Sequence, residues 1–175
     1  SYIDVFKHAL PFLSQKLQIE TQHEIWDKFG PYSSLLNTDE TEDIDKTWIQ
    51  VANLIGENVE KVKSAISPIK DLYVILDHTR TLYVILYDGL LPSNVGGGGN
   101  VRNIFRRVLA LLHKNNWWNK LGIDGLVELC EFHKKDMEEI YGQGHFKQYD
   151  SLRKILEVEI QKWENTDKKQ KEDLK

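Results

Sequence analysis

The sequence has little of several residue types on which particular kinds of protein depend. Its 175 residues include one cysteine, one methionine and four prolines. A lone Cys130 cannot form an internal disulfide, which excludes a disulfide scaffold and favours a reducing, cytoplasmic compartment. The longest apolar runs, 72–76 and 82–87, are far shorter than the ~20 residues of a membrane span. We therefore expect no membrane partner.

Acidic residues are absent from one long window. The chain carries 23 Lys and Arg against 27 Asp and Glu, and this net charge of −4 argues against a general nucleic-acid binder. No Asp or Glu occurs between Gly89 and Ile123, however. Five cations lie in this window, namely Arg102, Arg106, Arg107, Lys114 and Lys120. Because the planar guanidinium group suits phosphate, the arginine cluster predicts a phosphate-facing patch.

Apolar residues recur at helical spacing along nearly the whole chain, which predicts an all-α fold. The first stripe covers residues 2–17, and we expect Pro11 to kink this helix. A stretch of acidic residues precedes a helix that Gly56 ends, and a further short helix ends before Pro68. After Trp163 the chain is charged and nearly free of apolar residues, which predicts a solvated, fraying helix.

The segment 69–88 contains the sequence Leu-Tyr-Val-Ile-Leu twice, at 72–76 and at 82–86. Two such β-rich runs could form a hairpin. The joining residues 77–81 contain no Gly, Asn or Pro, so the residues that a hairpin turn needs are missing. We therefore predict a buried central helix, apolar on almost every side.

A glycine-rich segment separates this helix from the arginine cluster. Residues 90–100 carry Pro92 and four consecutive glycines, which predicts a loop. Glycine lets the backbone approach a ligand closely, and the N terminus of the next helix presents free N–H groups to an anion. The alternative is a flexible linker before a solvated helix. The loop glycines are Gly96, Gly97, Gly98 and Gly99, and the polar face of the helix carries Arg102, Asn103, Arg106 and Arg107.

Other polar residues have weaker claims to chemistry. No catalytic set of side chains can be assembled from this sequence. Asp77 and Arg80 are predicted to form an ion pair within the central helix. The alternative is that these charged residues brace the loop after Asp88. Cys130 and His133 share an apolar helix face, and because no second cysteine exists we predict a core role and no metal site. Trp117 and Trp118 could stack on a base, but packing in the core is the favoured interpretation.

The helices are predicted to form a bundle of two packed subdomains. The first covers residues 1–118 with the Gly-rich loop 90–100, and the second covers 119–175, with a break at 121–125. The loop lies between the buried helix and the Arg-rich helix. Because the chain lacks an initial Met, we expect a piece of a longer protein whose second subdomain is truncated at its C terminus.

Several motifs resemble alanyl-tRNA synthetases, especially the archaeal type. They are Ile-Leu-Asp-His-Thr-Arg-Thr at 75–81, Asp-Gly-Leu-Leu-Pro-Ser-Asn at 88–94, the glycines at 96–99 and Asn-Val-Arg-Asn-Ile-Phe-Arg-Arg-Val at 100–108. In that family this region follows the class II catalytic core and precedes the editing domain. The resemblance implies a helical module that docks the tRNA acceptor stem.

The resemblance also implies roles for individual residues. Asn94 occupies the position that reads the G·U wobble pair of tRNA(Ala), and Arg102, Asn103, Arg106, Arg107 and Lys114 would bind the RNA backbone. The second reader of the family, an Asp of a later motif, is expected beyond this chain. The parent would be an ATP-dependent alanine–tRNA ligase of class II. Its catalytic and editing domains, with ATP, Mg and zinc, would lie outside these residues, so this chain would need no cofactor and would be inactive alone.

A second function remains open from the residues alone. A helical protein-interaction scaffold could use the arginine face to bind an acidic partner. A salt titration of RNA binding separates the two functions, since phosphate contacts give a steep logarithmic dependence on salt.

Overall fold

The structure, a computed structural model, describes residues 2–19, 24–36 and 43–174, and within these ranges it contains helices and no strands. The all-α prediction is confirmed for this part of the chain. None of its helices is both long and apolar enough to cross a membrane. The helices are α1 (Tyr2–Val5), α2 (Ala9–Lys16), α3 (Glu24–Phe29), a 3₁₀ helix (Gly30–Leu36), α4 (Ile44–Ile55), α5 (Val59–Tyr87), α6 (Gly96–Lys114), α7 (Trp118–Tyr141) and α8 (Leu152–Asp173).

The chain forms two compact units. The first contains Ser1–Gln18 and Tyr73–Lys175, and the second contains Ile19–Leu72. This division differs from the predicted boundary between residues 118 and 119. Helices α6, α7 and α8 lie on both sides of the predicted boundary, yet they belong to one unit because they pack on one another.

The second unit has its own hydrophobic core. Asp43 caps α4, since its side chain accepts a hydrogen bond from the backbone N–H of Lys46 at 3.1 Å, and Gly56 ends the helix with a φ of 78°. Asp39, Glu40 and Glu42, which belong to the predicted acidic stretch, lie outside the described residues. Helices α3, α4 and the start of α5 enclose the core, formed by Ile25, Phe29, Trp48, Val51, Ala52, Val62 and Ile66.

The sequence predicted a kink at Pro11, but the first helical stripe is instead interrupted at residues 6–8, between α1 and α2. Pro11 sits in the first turn of α2, where its missing N–H would have had no helical partner. The buried carboxylate of Asp136 begins α2 by accepting hydrogen bonds from the backbone N–H groups of His8 and Ala9, at 2.6 and 3.0 Å. A side chain of α7 therefore supplies the N-terminal cap that the sequence around His8 lacks.

Residues 72–87 lie within α5, so the central helix is confirmed and the hairpin is excluded. The prediction that a helix ends before Pro68 is wrong, because α5 continues through this residue. An interior proline costs about 3 kcal/mol, whereas each fully buried large aliphatic side chain contributes about 1.5–3 kcal/mol. Ile66 and Ile69, on either side of Pro68, are 0% and 2% exposed, and their burial offsets this cost.

The break predicted at 121–125 is a kink inside α7. Gly122 has a φ of 61° and a ψ of −174°, which interrupts the helix without ending it. Residues after Trp163 continue as the last turns of α8, and their side chains are mostly exposed.

Candidate nucleic-acid interface

The glycine run is helical and does not form the loop that the sequence predicted. Only residues 88–95 separate α5 from α6, and Gly96–Gly99 make the first turn of α6. A Cβ atom on Gly98 would collide with Oγ of Ser93 and would lie 2.6 Å from the carbonyl oxygen of Leu91. The glycine at this position therefore lets the preceding loop fold back against the helix.

Two hydrogen bonds fix the backbone of this returning loop. The N–H of Ser93 donates to the carbonyl oxygen of Gly98 at 3.0 Å, and Oγ of Ser93 donates to the carbonyl oxygen of Val95 at 2.9 Å. Asn94, between them, has an exposed side chain. Its neighbours Leu91 and Val95 are 55% and 77% exposed, so the amide stands on a projecting, partly apolar surface.

The sequence predicted Arg102 on the exposed face of α6, but the structure buries this residue. It is 7% exposed and forms a paired contact with Glu159 of α8: Nη2 donates to Oε1 at 2.9 Å and Nε donates to Oε2 at 3.0 Å. This bond to Glu159 raises the pKa of Arg102. The third nitrogen, Nη1, donates to Oδ1 of Asn94 at 2.5 Å. Because Glu159 neutralises the guanidinium group of Arg102, the polar face of α6 offers one positive charge fewer than the sequence predicted.

The remaining polar residues of α6 do face outward. Asn103 and Arg107 are exposed and Arg106 is half-buried, and together these three residues are called the basic face. Lys114, in the last turn of α6, is exposed. Neither Arg106 nor Arg107 has an ion pair among the described residues, so both guanidinium groups remain available. On the opposite side, Val101, Phe105, Val108 and Leu112 are buried and Ile104 is half-buried, so the predicted segregation of the helix holds except at Arg102.

Anion binding is favoured by the backbone as well as by the side chains. Val95 precedes the first residue of α6, and its side chain provides no cap for the free N–H groups of the first turn of this helix. The positive end of the helix dipole therefore lies beside the loop that carries Asn94. A phosphate near this loop would meet partial positive charge from the backbone and full charge from the basic face.

His133 and Cys130 have the core role that the sequence predicted. Cys130 is buried, and burial raises the pKa of its thiol to about 12. His133 is 0% exposed, and its Nε2 lies 2.7 Å from Oγ1 of Thr79. Burial and, secondarily, the charge of Arg80 lower the pKa of His133 to about 3. Across the described residues, no group of three His, Cys, Asp or Glu side chains could hold a metal ion, so these residues do not fit a zinc site.

The two tryptophans and the pair Asp77 and Arg80 are the remaining candidates from the sequence. Trp117 is 5% exposed, which confirms packing in the core. Trp118 is half-buried, and its ring stacks on His113 with centroids 5.7 Å apart. The Arg80 guanidinium carbon lies 5.7 Å from the centroid of the Phe6 ring, and Asp77 is exposed. The predicted Asp77–Arg80 ion pair stays a prediction.

Glu159 is the residue of this site that the sequence analysis missed. It lies 57 residues from Arg102 along the chain, so no local motif connects the two. A signal was nevertheless present, because Glu159 follows Leu152 by seven residues and Leu156 by three, on the apolar stripe of α8. A carboxylate on a buried stripe requires a cationic or hydrogen-bonding partner.

Most of this chain is similar in sequence to proteins of known family. The family described as tRNA synthetases class II (A) matches residues 33–174. A protein of Methanocella arvoryzae named "Alanine--tRNA ligase" is 34% identical over 175 residues, which cover 100% of this chain and 19% of that protein. A Nitrosopumilus maritimus protein of the same name is 34% identical over 128 residues, or 73% of this chain and 13% of that protein.

A third such relative, from Archaeoglobus fulgidus, is 35% identical over 116 residues, or 66% of this chain and 12% of that protein. The chain thus spans about a fifth of the length of the curated relatives that it matches, or less. The match over the whole chain and the family match over residues 33–174 agree with the motifs at 75–108. The chain therefore belongs to the class II (A) family of tRNA synthetases, as a relative of archaeal alanine–tRNA ligases.

Proposed function

We propose that this chain recognises the acceptor stem of tRNA(Ala) as part of an alanine–tRNA ligase, with Asn94 reading the G·U wobble pair. The observation that carries the proposal is the exposed Asn94 side chain, which Arg102 contacts from α6. The same helix carries the guanidinium groups of Arg106 and Arg107, which are unpaired among the described residues. The names of the curated relatives support the ligase assignment.

The chemistry of an RNA acceptor stem suits this arrangement. A-form RNA presents a wide, shallow minor groove, which a projecting loop can reach. In a G·U pair the guanine amino group lacks its usual partner, so a side-chain acceptor near it gains a hydrogen bond. The amide of Asn94 carries both an acceptor and a donor. Arginines on the adjacent basic face would hold phosphates and set the register of the loop on the stem.

The proposal assigns this chain binding and leaves catalysis to other parts of the ligase. Alanine attachment would use the catalytic domain in cis, where ATP and Mg would bind, and zinc would belong to the editing domain. The 175 residues would need no cofactor of their own for RNA recognition. A role in tRNA charging would place the protein in the cytoplasm.

The proposal is tested by binding the 175-residue chain to two labelled acceptor-stem hairpins that differ only in a G·U or a G·C pair. We expect tighter binding of the G·U hairpin and an affinity that falls steeply as salt is raised. Equal binding of both hairpins, or an affinity that hardly depends on salt, would contradict the proposal and favour a protein-interaction scaffold.

Replacing Arg107 with alanine should weaken binding of the G·U and G·C hairpins about equally. Each lost phosphate contact should lower the slope of log K against log salt by roughly one. Arg153→Ala is the matched control, because Arg153 of α8 is already paired with Asp124 of α7 at 2.6 Å and with Glu157 of α8 at 2.9 Å. If both variants weakened binding to the same extent, the basic face would not be the RNA contact.

Replacing Asn94 with alanine should have the opposite signature. Every cationic contact remains, so overall affinity should change little, whereas the preference for G·U over G·C should fall. A good contact to a base edge is worth ~1–3 kcal/mol, which in the complete ligase corresponds to a loss of preference between several-fold and about a hundredfold. The loss should be smaller in the 175-residue chain, because the second reader of the pair is expected outside it. The measurement is the ratio of the two dissociation constants. An unchanged ratio in Asn94→Ala would show that another residue reads the pair.

A further inference from the structure

The amide of Asn94 is held by a buried ion pair. Arg102 and Glu159 are 7% and 6% exposed, and the pair uses two parallel hydrogen bonds of 2.9 and 3.0 Å. Such a forked contact fixes the plane of the guanidinium group as well as its position. The exposed Lys162 lies 3.7 Å from Oε1 of Glu159 and leaves the Arg102 contact in place. One nitrogen of the guanidinium, Nη1, is thereby directed at Asn94.

The chemistry of arginine determines which end of the amide faces it. A guanidinium group has donors and no acceptor, so its partner in Asn94 must be the oxygen Oδ1. The amide nitrogen Nδ2 therefore points away from Arg102. Oδ1 retains a second lone pair, which can accept a further hydrogen bond. In the absence of Arg102, the terminal torsion of an exposed asparagine side chain is broad, and its oxygen and nitrogen can exchange places.

The backbone around Asn94 is fixed by other contacts. The bonds from Ser93 to Gly98 and Val95 close the loop on the first turn of α6 without using Arg102. Arg102 thus acts on the side chain of Asn94, whereas the glycine turn acts on its backbone. This separation means that a change at Arg102 or Glu159 can alter the orientation of the amide while the loop stays in place.

We propose that Arg102 and Glu159 are positioning residues that orient the Asn94 amide for discrimination of G·U from G·C. This proposal rests on the proposed function of Asn94 and adds two residues that need not touch the RNA. Arg102 thereby has a different role from Arg106 and Arg107: it sets which pair is preferred, and the basic face sets how tightly any stem is bound.

The test measures dissociation constants of the 175-residue chain for the G·U and G·C hairpins in Arg102→Lys and Glu159→Gln variants. A lysine keeps the charge but cannot hold Glu159 and Asn94 with a planar fork. Gln is isosteric with Glu and removes the charge that fixes Arg102. We expect each variant to lose roughly fivefold or more of the preference for G·U, the lower range of a base-edge contact, with G·C binding nearly unchanged.

A charge-swapped double variant separates positioning from simple stabilisation. Arg102→Glu combined with Glu159→Arg restores an ion pair between α6 and α8, so its melting temperature should exceed that of Arg102→Glu alone. Its carboxylate now faces Asn94, and a carboxylate accepts hydrogen bonds only, so the amide should turn its Nδ2 inward. Oδ1 then no longer lies where Arg102 holds it with its second lone pair open to the guanine amino group, so the preference for G·U should remain low in the double variant. Recovery of both stability and preference would overturn the proposal.

A measurement in the absence of RNA tests the orientation of the Asn94 amide directly, including in variants whose overall RNA affinity has changed. In the unmodified chain the ¹⁵N order parameter of the Asn94 side-chain amide should be high, and it should fall in Arg102→Lys. An ordered amide in that variant would overturn the proposal. If the unmodified chain shows no preference for G·U, the proposed function fails. If it shows the preference and both single variants keep it, or lose affinity for both hairpins equally, only the positioning role fails.

Discussion

Replacing Gly98 with alanine is expected to lower the free energy of unfolding by roughly 1–3 kcal/mol, the usual cost of forcing an extra methyl group into a packed site. The new Cβ would collide with Ser93 and lie 2.6 Å from the carbonyl oxygen of Leu91. One of these obstacles is backbone, so the loop must move away from α6. The displacement would also move Asn94, and the preference for G·U over G·C should fall in the same variant.

Gly99→Ala is the matched control for this effect. A Cβ on Gly99 would come no closer than 3.6 Å to its neighbours, which is ordinary contact. Alanine also favours helix, so this variant should be neutral or more stable by up to about 1 kcal/mol. Urea unfolding followed by circular dichroism measures both variants. Equal destabilisation by the two substitutions would show that helix geometry, and not the close approach of the loop, requires the glycine.

The fold followed from the sequence where periodicity is a local property. Helical spacing identified the segments that became α4, α6, α7 and α8, and the missing turn residues at 77–81 excluded the hairpin. Pro68 and the glycine run misled the prediction because both residues have low helix propensity. Burial on both sides of Pro68, and the contact of Gly98 with the loop, are tertiary effects that outweigh propensity at these positions.

The candidate site followed from the sequence only in part, for a related reason. Arg102, Arg106 and Arg107 look equivalent along the chain, and a helical projection places them on one polar face. The structure separates them, since Arg102 meets Glu159 and Asn94 whereas the other two guanidinium groups stay unpaired among the described residues. Partners brought together by folding from 57 residues apart leave no spacing to detect.

Acid should destabilise the first unit through His133. Its folded pKa of about 3 lies below the ordinary value of 6.5 because the ring is buried and near Arg80. Below pH 6.5 the unfolded chain binds a proton at this position while the folded chain does not, so stability falls as the pH falls from 6.5 toward 3. Each pH unit in this window costs about 1.4 kcal/mol, so lowering the pH from 7 to 5 should cost about 2 kcal/mol.

The variant His133→Gln isolates this contribution from that of other titrating groups. Thr79 donates its hydroxyl to the carbonyl oxygen of Ile75 at 2.7 Å, so it accepts from Nε2–H of His133, and a glutamine amide can replace this donor. The substituted side chain carries no titrating ring, and all other groups stay the same. The difference in unfolding free energy between the unmodified chain and the variant should therefore shift by about 2 kcal/mol between pH 7 and pH 5, to the disadvantage of the unmodified chain. A difference that stays constant with pH, together with an imidazole NMR signal of His133 that titrates near 6.5, would show that this ring accepts a proton as readily in the folded chain as in water.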